Sequence, residues 1–102
     1  FGVNGITQAL AKELGPKGIR VNAVCPVYVE TPGLLEALKN PEAPPKGQDT
    51  AKYLKEFSES NAALERLPKG NEIAELCFYL SSSKASAITG QCINVDCGVL
   101  PQ

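Results

Sequence analysis

The 102-residue sequence contains no histidine. A tetrahedral zinc site would therefore require thiolates alone, brought together from separate elements. The four cysteines, Cys25, Cys77, Cys92 and Cys97, form no CxxC pair. This pattern predicts no metal site and favours reduced, mostly buried thiols.

The chain also lacks a basic run and a long apolar run. Ten Lys and Arg against eleven Asp and Glu leave a net charge of -1, which argues against nucleic acid as a partner. No apolar stretch approaches the roughly 18 residues that a membrane span needs, and no signal peptide is recognised. A cytoplasmic globular protein of about one small domain, not bound to a membrane, is expected.

Methionine is absent as well. A helical pattern already runs from Phe1, with no capping residue before it. These two features suggest a piece of a longer polypeptide.

Apolar spacing predicts alternating helices and strands. Gly15 is expected to take the left-handed cap that ends the first helix. Two strands, at 19–25 and 91–95, are each followed by a turn. Three prolines within 41–47 favour an extended path and a mobile flap. The first predicted helix, 1–14, is amphipathic, with Val3, Ile6, Leu10 and Leu14 at helical spacing. The others are two turns in 33–40, about three turns capped by Asp49 or Thr50 in which Tyr53, Leu54 and Phe57 share a face, and a helix from Ile73 to about Ser82.

The loop that follows the first strand is the best candidate for a ligand-binding site at the edge of the sheet. Pro26 lacks a backbone donor and stops the strand. Residues 26–32 then carry amides and carbonyls outside a ladder, plus the Thr31 hydroxyl, all able to bond a polar ligand. An ordinary surface loop is the alternative.

A strand, a helical crossover and a second strand predict a parallel pair with a right-handed connection. Parallel sheets are buried on both faces, which two strands and a few helices cannot achieve. We therefore expect further strands from a missing part of the chain or from a partner.

Two segments resemble the C-terminal half of the short-chain dehydrogenases/reductases. The first is GITQALAKELGPKGIRVNAVCP at 5–26, and the second is ITGQCINVDCG at 88–98. The resemblance implies an α/β fold: the C-terminal portion of a Rossmann-type doubly wound parallel sheet, with its remaining strands missing. It also implies an NAD(P)-dependent oxidoreductase that transfers hydride between nicotinamide and a small carbonyl or alcohol substrate, usually as a homo-tetramer or dimer.

The same resemblance implies roles for individual residues. Residues 32–65 would form the substrate lid of a single domain that includes all of 1–102. Tyr28, Leu34 and Leu35 would line the substrate pocket, although packing of the lid against the body explains them equally well. The residues implied to lie beside the NAD or NADP nicotinamide are Pro26, Val27, Val29 and Thr31.

The sequence departs from the family pattern at its catalytic pair, YxxxK. Tyr28, Tyr53 and Tyr79 are followed four residues later by proline, phenylalanine and serine, so the chain offers no catalytic residue. The missing N-terminal part would supply that pair and the glycine-rich turn that binds the pyrophosphate.

Two further departures affect backbone freedom. Val27 stands where the family usually has glycine, and a β-branched residue crowds an approaching ring. Cys97 replaces another common glycine.

Two hypotheses remain open from the sequence. In the first, the chain is part of a reductase and supplies the nicotinamide-side loop, the substrate lid and a subunit interface. In the second, it is a non-catalytic truncated relative that acts as an interaction or oligomerisation module. In either case the 102 residues alone are expected to be inactive.

Overall fold

The computed structural model describes residues 2–29, 31–39 and 49–101. Within these ranges the chain forms helices and a two-stranded parallel sheet. The predicted order of helix, strand, helical excursion, helix and strand is confirmed. The elements are α1 (Gly2–Leu14), β1 (Ala23–Cys25), α2 (Pro32–Leu38), α3 (Thr50–Asn61), α4 (Gly70–Ser81) and β2 (Cys92–Asn94).

The chain divides into two compact units. The strand unit comprises Phe1–Cys25 and Asn71–Asn94, and therefore contains α1 and both strands. The aromatic unit comprises Pro26–Gly70 and Val95–Gln102, and contains α2 and α3.

The first helix ends differently from the prediction. Gly15 is not the left-handed cap, because Gly15–Lys17 continue as a 3₁₀ turn with Pro16 in its first positions. Gly18 adopts the left-handed conformation instead, with φ of 77°, and donates its amide to the Gly15 carbonyl. Because proline is well suited to the start of a helical turn, Pro16 lets the helical path continue. The path therefore ends three residues later than predicted.

Both strands are shorter than predicted. Ala23–Cys25 pair in parallel with Cys92–Asn94, in the register Ala23 to Cys92. Residues 19–22 lie outside the ladder, where the Gly90 amide donates to the Val21 carbonyl at 2.7 Å and side chains make further bonds. The Thr89 hydroxyl accepts the Val21 amide at 3.1 Å, and Asn22 donates to the Ile88 carbonyl at 3.0 Å.

The apolar face of α1 points outward. Val3 is 61% exposed and Ile6 63% exposed, and Leu10 is also exposed. The buried residues of this helix are Thr7 and Ala11. The spacing therefore identified an amphipathic helix, but its apolar stripe is not the face that packs within the strand unit.

A small apolar core holds the aromatic unit together. Leu38, Leu54 and Leu67 are buried, and Leu54 is only 2% exposed. Asp49 caps α3 by accepting the amide of Ala51 at 2.9 Å, which confirms one of the two predicted caps. Tyr53, Leu54 and Phe57 share the packed face of α3, as predicted.

The predicted turn after β2 is confirmed. The Asp96 carboxylate is buried and accepts the amides of Gly98 at 2.9 Å and Leu100 at 3.0 Å. Cys97 and Gly98 both have positive φ, at 55° and 86°. A carboxylate that binds two nearby amides explains how aspartate organises this turn.

The prediction that the thiols are mostly buried is wrong, because the described cysteines are half-buried or exposed. Cys77 is exposed, and Cys25, Cys92 and Cys97 are half-buried. The proposed flap at 41–47 lies outside the described residues. No helix in the described ranges is long and apolar enough to cross a membrane.

Candidate functional site

The predicted cofactor residues follow β1 directly in the chain. Pro26 and Val27 are exposed, with Val27 at 40%, and Val29 is half-buried. Among the described residues, no backbone hydrogen bond uses the amide of Val27 or Val29. An amide outside a ladder is a donor to which a polar ligand can bond.

Thr31 begins α2 as its N-cap. Its Oγ1 accepts the Leu34 amide at 3.2 Å, and its carbonyl accepts the Leu35 amide at 3.1 Å. A threonine hydroxyl that accepts one bond still has a proton to donate. Available amides and a hydroxyl donor suit the carboxamide oxygen of a nicotinamide, so these residues fit the group.

Tyr28 projects into an aromatic cluster formed with Tyr53 and Phe57. Its ring lies edge-on to Phe57, with centroids 5.0 Å apart and an angle of 70°. The hydroxyls of Tyr28 and Tyr53 are 3.3 Å apart. The hydrogen bond with Tyr28 raises the pKa of Tyr53, and burial and charge repulsion from Tyr28 add to the effect. The phenol of Tyr53 therefore remains neutral at physiological pH.

The predicted substrate residues have different surroundings. Tyr28 and Leu34 pack against the core of Leu38, Leu54 and Leu67, whereas Leu35 is 38% exposed. Packing thus accounts for the first two, as the sequence alternative allowed. Their contact with substrate stays a prediction.

Sequence reasoning missed that Tyr53 and Phe57 are the partners of Tyr28. It assigned both to the packed face of α3 without identifying what they pack against. The chain has only three tyrosines and three phenylalanines, and three of the six lie in the loop after β1 and in α3. That concentration was the available signal.

A groove of about 460 Å³ lies within the strand unit. Its most polar side chain, Arg20, is already engaged, donating to the carbonyls of Ile88 and Ser82 at 3.2 Å each. Within the described ranges, the cysteines and carboxylates nowhere gather into a group of three that could hold a metal ion. The groove is lined by Gly18, Arg20, Asn22, Val24, Cys77, Leu80 and Ser81.

Comparison with known proteins identifies the family. The family model described as enoyl-(acyl carrier protein) reductase matches residues 1–100. A short-chain dehydrogenase/reductase of Armillaria gallica is 40% identical over 100 residues, covering 98% of this chain. A 3-oxoacyl-[acyl-carrier-protein] reductase of Thermotoga maritima is 39% identical over 99 residues, covering 97%. The chain belongs to the short-chain dehydrogenases/reductases, which confirms the resemblance seen in its sequence.

Solved structures agree on the fold. Ligand-free aldohexose dehydrogenase of Thermoplasma acidophilum superposes with a TM-score of 0.82 at 33% identity, over 99% of this chain and 38% of that one. A variant of actinorhodin polyketide ketoreductase with NADPH gives a TM-score of 0.82 at 34% identity, over 99% and 38%. The fold is therefore the C-terminal portion of a Rossmann-type doubly wound sheet, as predicted.

The chain spans 36% of the Armillaria protein and 35% of the Thermotoga protein.

Proposed function

We propose that this chain works as the C-terminal part of an NAD(P)-dependent oxidoreductase that transfers hydride between nicotinamide and a carbonyl or alcohol substrate. The observation that carries the proposal is the family match across residues 1–100. The similar ketoreductase structure with NADPH supports the cofactor class.

In this function, the loop after β1 borders the nicotinamide. The amides of Val27 and Val29 donate to the carboxamide, and Pro26 ends the strand so that these amides lie outside the ladder. Thr31 donates its hydroxyl proton to the carboxamide or to a nearby phosphate while its oxygen caps α2. Nicotinamide itself supplies or accepts the hydride.

Residues 32–65 act as the substrate lid. Tyr28, Leu34 and Leu35 then lie at the base of that lid, beside a small carbonyl or alcohol substrate. The tyrosine and lysine that move the substrate proton come from polypeptide outside these 102 residues, as does the glycine-rich turn for the pyrophosphate.

The exposed face of α1 supports contact with that other polypeptide. Val3, Ile6 and Leu10 form an apolar stripe that the strand unit does not cover. Covering it with the remainder of the domain, or with a second subunit of a dimer or tetramer, removes this apolar area from water. A purely structural interaction module would use the same surface, which keeps that function as the second candidate.

Cofactor binding and turnover separate the two functions. The 102-residue chain and a longer polypeptide that carries YxxxK are each titrated with NADH and NADPH, then assayed with a panel of carbonyl substrates. We expect activity only from the longer polypeptide. An interaction module would bind no cofactor in either form, and oxidation by the short chain alone would contradict the proposal.

Thr31 provides a sharper test in the active polypeptide. Thr31→Ser keeps both the cap and the donor, whereas Thr31→Asp keeps the capping acceptor and loses the donor. The first should bind cofactor normally. The second should bind at least about tenfold more weakly, since one hydrogen bond to the ligand is lost and a negative charge is added.

A further inference from the structure

We propose that Tyr53 of α3 is a positioning residue, which acts through the hydroxyl of Tyr28 to fix the backbone of Val27 and Val29. The inference rests on the proposed function, because it makes cofactor affinity depend on a helix that carries none of the cofactor residues. Its basis is a chain of direct contacts within the aromatic unit.

The first contact is the hydroxyl pair. The Tyr28 and Tyr53 oxygens are 3.3 Å apart, and their rings lie edge-on at 72° with centroids 6.4 Å apart. Each phenol can donate one hydrogen bond and accept others. One hydroxyl therefore donates to the other, and the accepting one keeps its own proton for a further partner.

The second contact fixes the direction of the Tyr28 ring. Phe57 lies one helical turn after Tyr53, and its ring meets Tyr28 edge-on with centroids 5.0 Å apart. Edge-to-face geometry aligns the positive rim of one ring with the negative face of the other. Two aromatic side chains of α3 thus hold one side chain of the loop.

The third step links the Tyr28 side chain to the backbone of the loop after β1. Tyr28 lies between Val27 and Val29. Among the described residues, no backbone hydrogen bond uses the amides of those two valines. Val27 is also exposed. The Tyr28 side chain consequently anchors the middle of the loop, and α3 supplies the opposing half of that anchor.

The core beneath α3 makes the helix a firm support. Leu54, adjacent to Tyr53 in sequence, is 2% exposed and packs with Leu38 and Leu67. A helix seated on buried leucines holds its aromatic side chains in defined rotamers. Displacement of α3 would therefore move Tyr28 and loosen the loop.

The test uses Tyr→Phe variants of the full-length polypeptide, since each removes a hydroxyl and leaves its ring in place. Tyr28→Phe and Tyr53→Phe are compared with Tyr79→Phe, whose hydroxyl donates to the Lys84 carbonyl at 3.4 Å in the strand unit. Backbone ¹⁵N order parameters of Val27 and Val29 and the NAD(P)H dissociation constant are measured for each.

Both Tyr28→Phe and Tyr53→Phe should lower the order parameters of the two valine amides and weaken NAD(P)H binding about fivefold. The double variant should be no worse than either single one, because all three lack the same bond. Ultraviolet titration of Tyr28→Phe should also show the pKa of Tyr53 moving back toward its ordinary value. Tyr79→Phe should change neither the order parameters nor the affinity.

Unchanged order parameters in Tyr53→Phe, or additive losses in the double variant, would overturn the inference. Lower order parameters with unaltered cofactor affinity would overturn it too, because the loop would then be anchored without consequence for binding. If the unmodified polypeptide binds no NAD(P)H, the proposed function fails, and the order parameters still decide whether Tyr53 positions the loop.

Discussion

The strand unit and the aromatic unit are stabilised in different ways. In the strand unit, the segments that precede the two strands are joined by polar side chains that bind backbone groups. The main contributors are Arg20, Asn22 and Thr89. The aromatic unit relies on a leucine core and a ring cluster. One unit is organised by directional bonds and the other by apolar packing.

The difference extends to the surface. In the described part of the strand unit, only Ala11, Leu80 and Ala85 are buried apolar residues, and the large apolar residues Val3 and Ile6 face outward. The aromatic unit buries three leucines. A parallel sheet with so little cover is typical of a structure completed by other polypeptide. The aromatic unit, by contrast, contains a core of its own.

The largest effect should come from emptying that core. Leu54→Ala removes a side chain that is 2% exposed and leaves a cavity, so we expect a loss of about 3 to 4 kcal/mol in the free energy of unfolding. Leu64→Ala is the control, since Leu64 is 62% exposed, and it should cost less than about 0.5 kcal/mol. Urea unfolding measures both, and equal losses would show that the leucine cluster is not a core.

Next in size is the contrast between two left-handed glycines. At Gly98, with φ of 86°, a Cβ would meet the Ala63 Cβ at 2.5 Å and the Ala63 backbone nitrogen at 3.2 Å. At Gly18, with φ of 77°, it would meet nothing within 4 Å. Gly98→Ala combines strain with steric overlap and should cost about 3 kcal/mol. Gly18→Ala should cost about 1 kcal/mol, from strain alone.

Thermal or urea unfolding of these two variants tests how tightly the turn after β2 packs on Ala63. A similar cost at both positions would mean that the aromatic unit yields to the added methyl group. A marked difference would confirm that the close contact, rather than the backbone conformation, requires glycine at position 98.

These glycines also show which parts of the fold the sequence could predict. Within the described ranges, helix periodicity identified the four α-helices, and residue alternation identified the two strands. Gly15 and Gly18 flank the same Pro16 and Lys17, so composition could not decide which one takes the positive φ. The length of the first strand was overestimated. Residues 19–22 alternate in the same way whether the neighbouring backbone is bonded by a strand ladder or by a side chain such as that of Asn22.

Only those parts of the candidate site that are formed by residues close together in the sequence could be predicted. Proline after a strand locates the loop, and the spacing of Thr31 to Leu34 is typical of a helix cap. The pairing of Tyr28 with Tyr53 spans 25 residues, and no short-range pattern records such a contact. Likewise, nothing in the periodicity of α1 indicates whether its apolar face meets its own unit or another polypeptide.

Breaking a polar connection in the strand unit should have an intermediate effect. Asn22 donates to the Ile88 carbonyl at 3.0 Å and accepts the Gln91 amide at 3.1 Å. Asn22→Ala leaves the Gln91 amide without this partner, while Arg20 still donates to the Ile88 carbonyl, and we expect a loss of about 1 to 2 kcal/mol. Asn4→Ala on the exposed surface of α1 is the matched control and should be neutral or slightly stabilising. If both variants unfold at the same urea concentration, directional bonds do not distinguish the strand unit.

The smallest effect, and the only gain, is expected at the turn after β2. Cys97 has a φ of 55°, a conformation that a residue with a Cβ adopts at a cost of about 1 kcal/mol. Cys97→Gly should relieve this strain and raise the free energy of unfolding by up to about 1 kcal/mol, less whatever packing the half-buried thiol provides. Cys97→Ala separates the two contributions, because it removes the thiol and keeps the Cβ. If Cys97→Gly is no more stable than Cys97→Ala, packing and not backbone strain determines the residue at this turn.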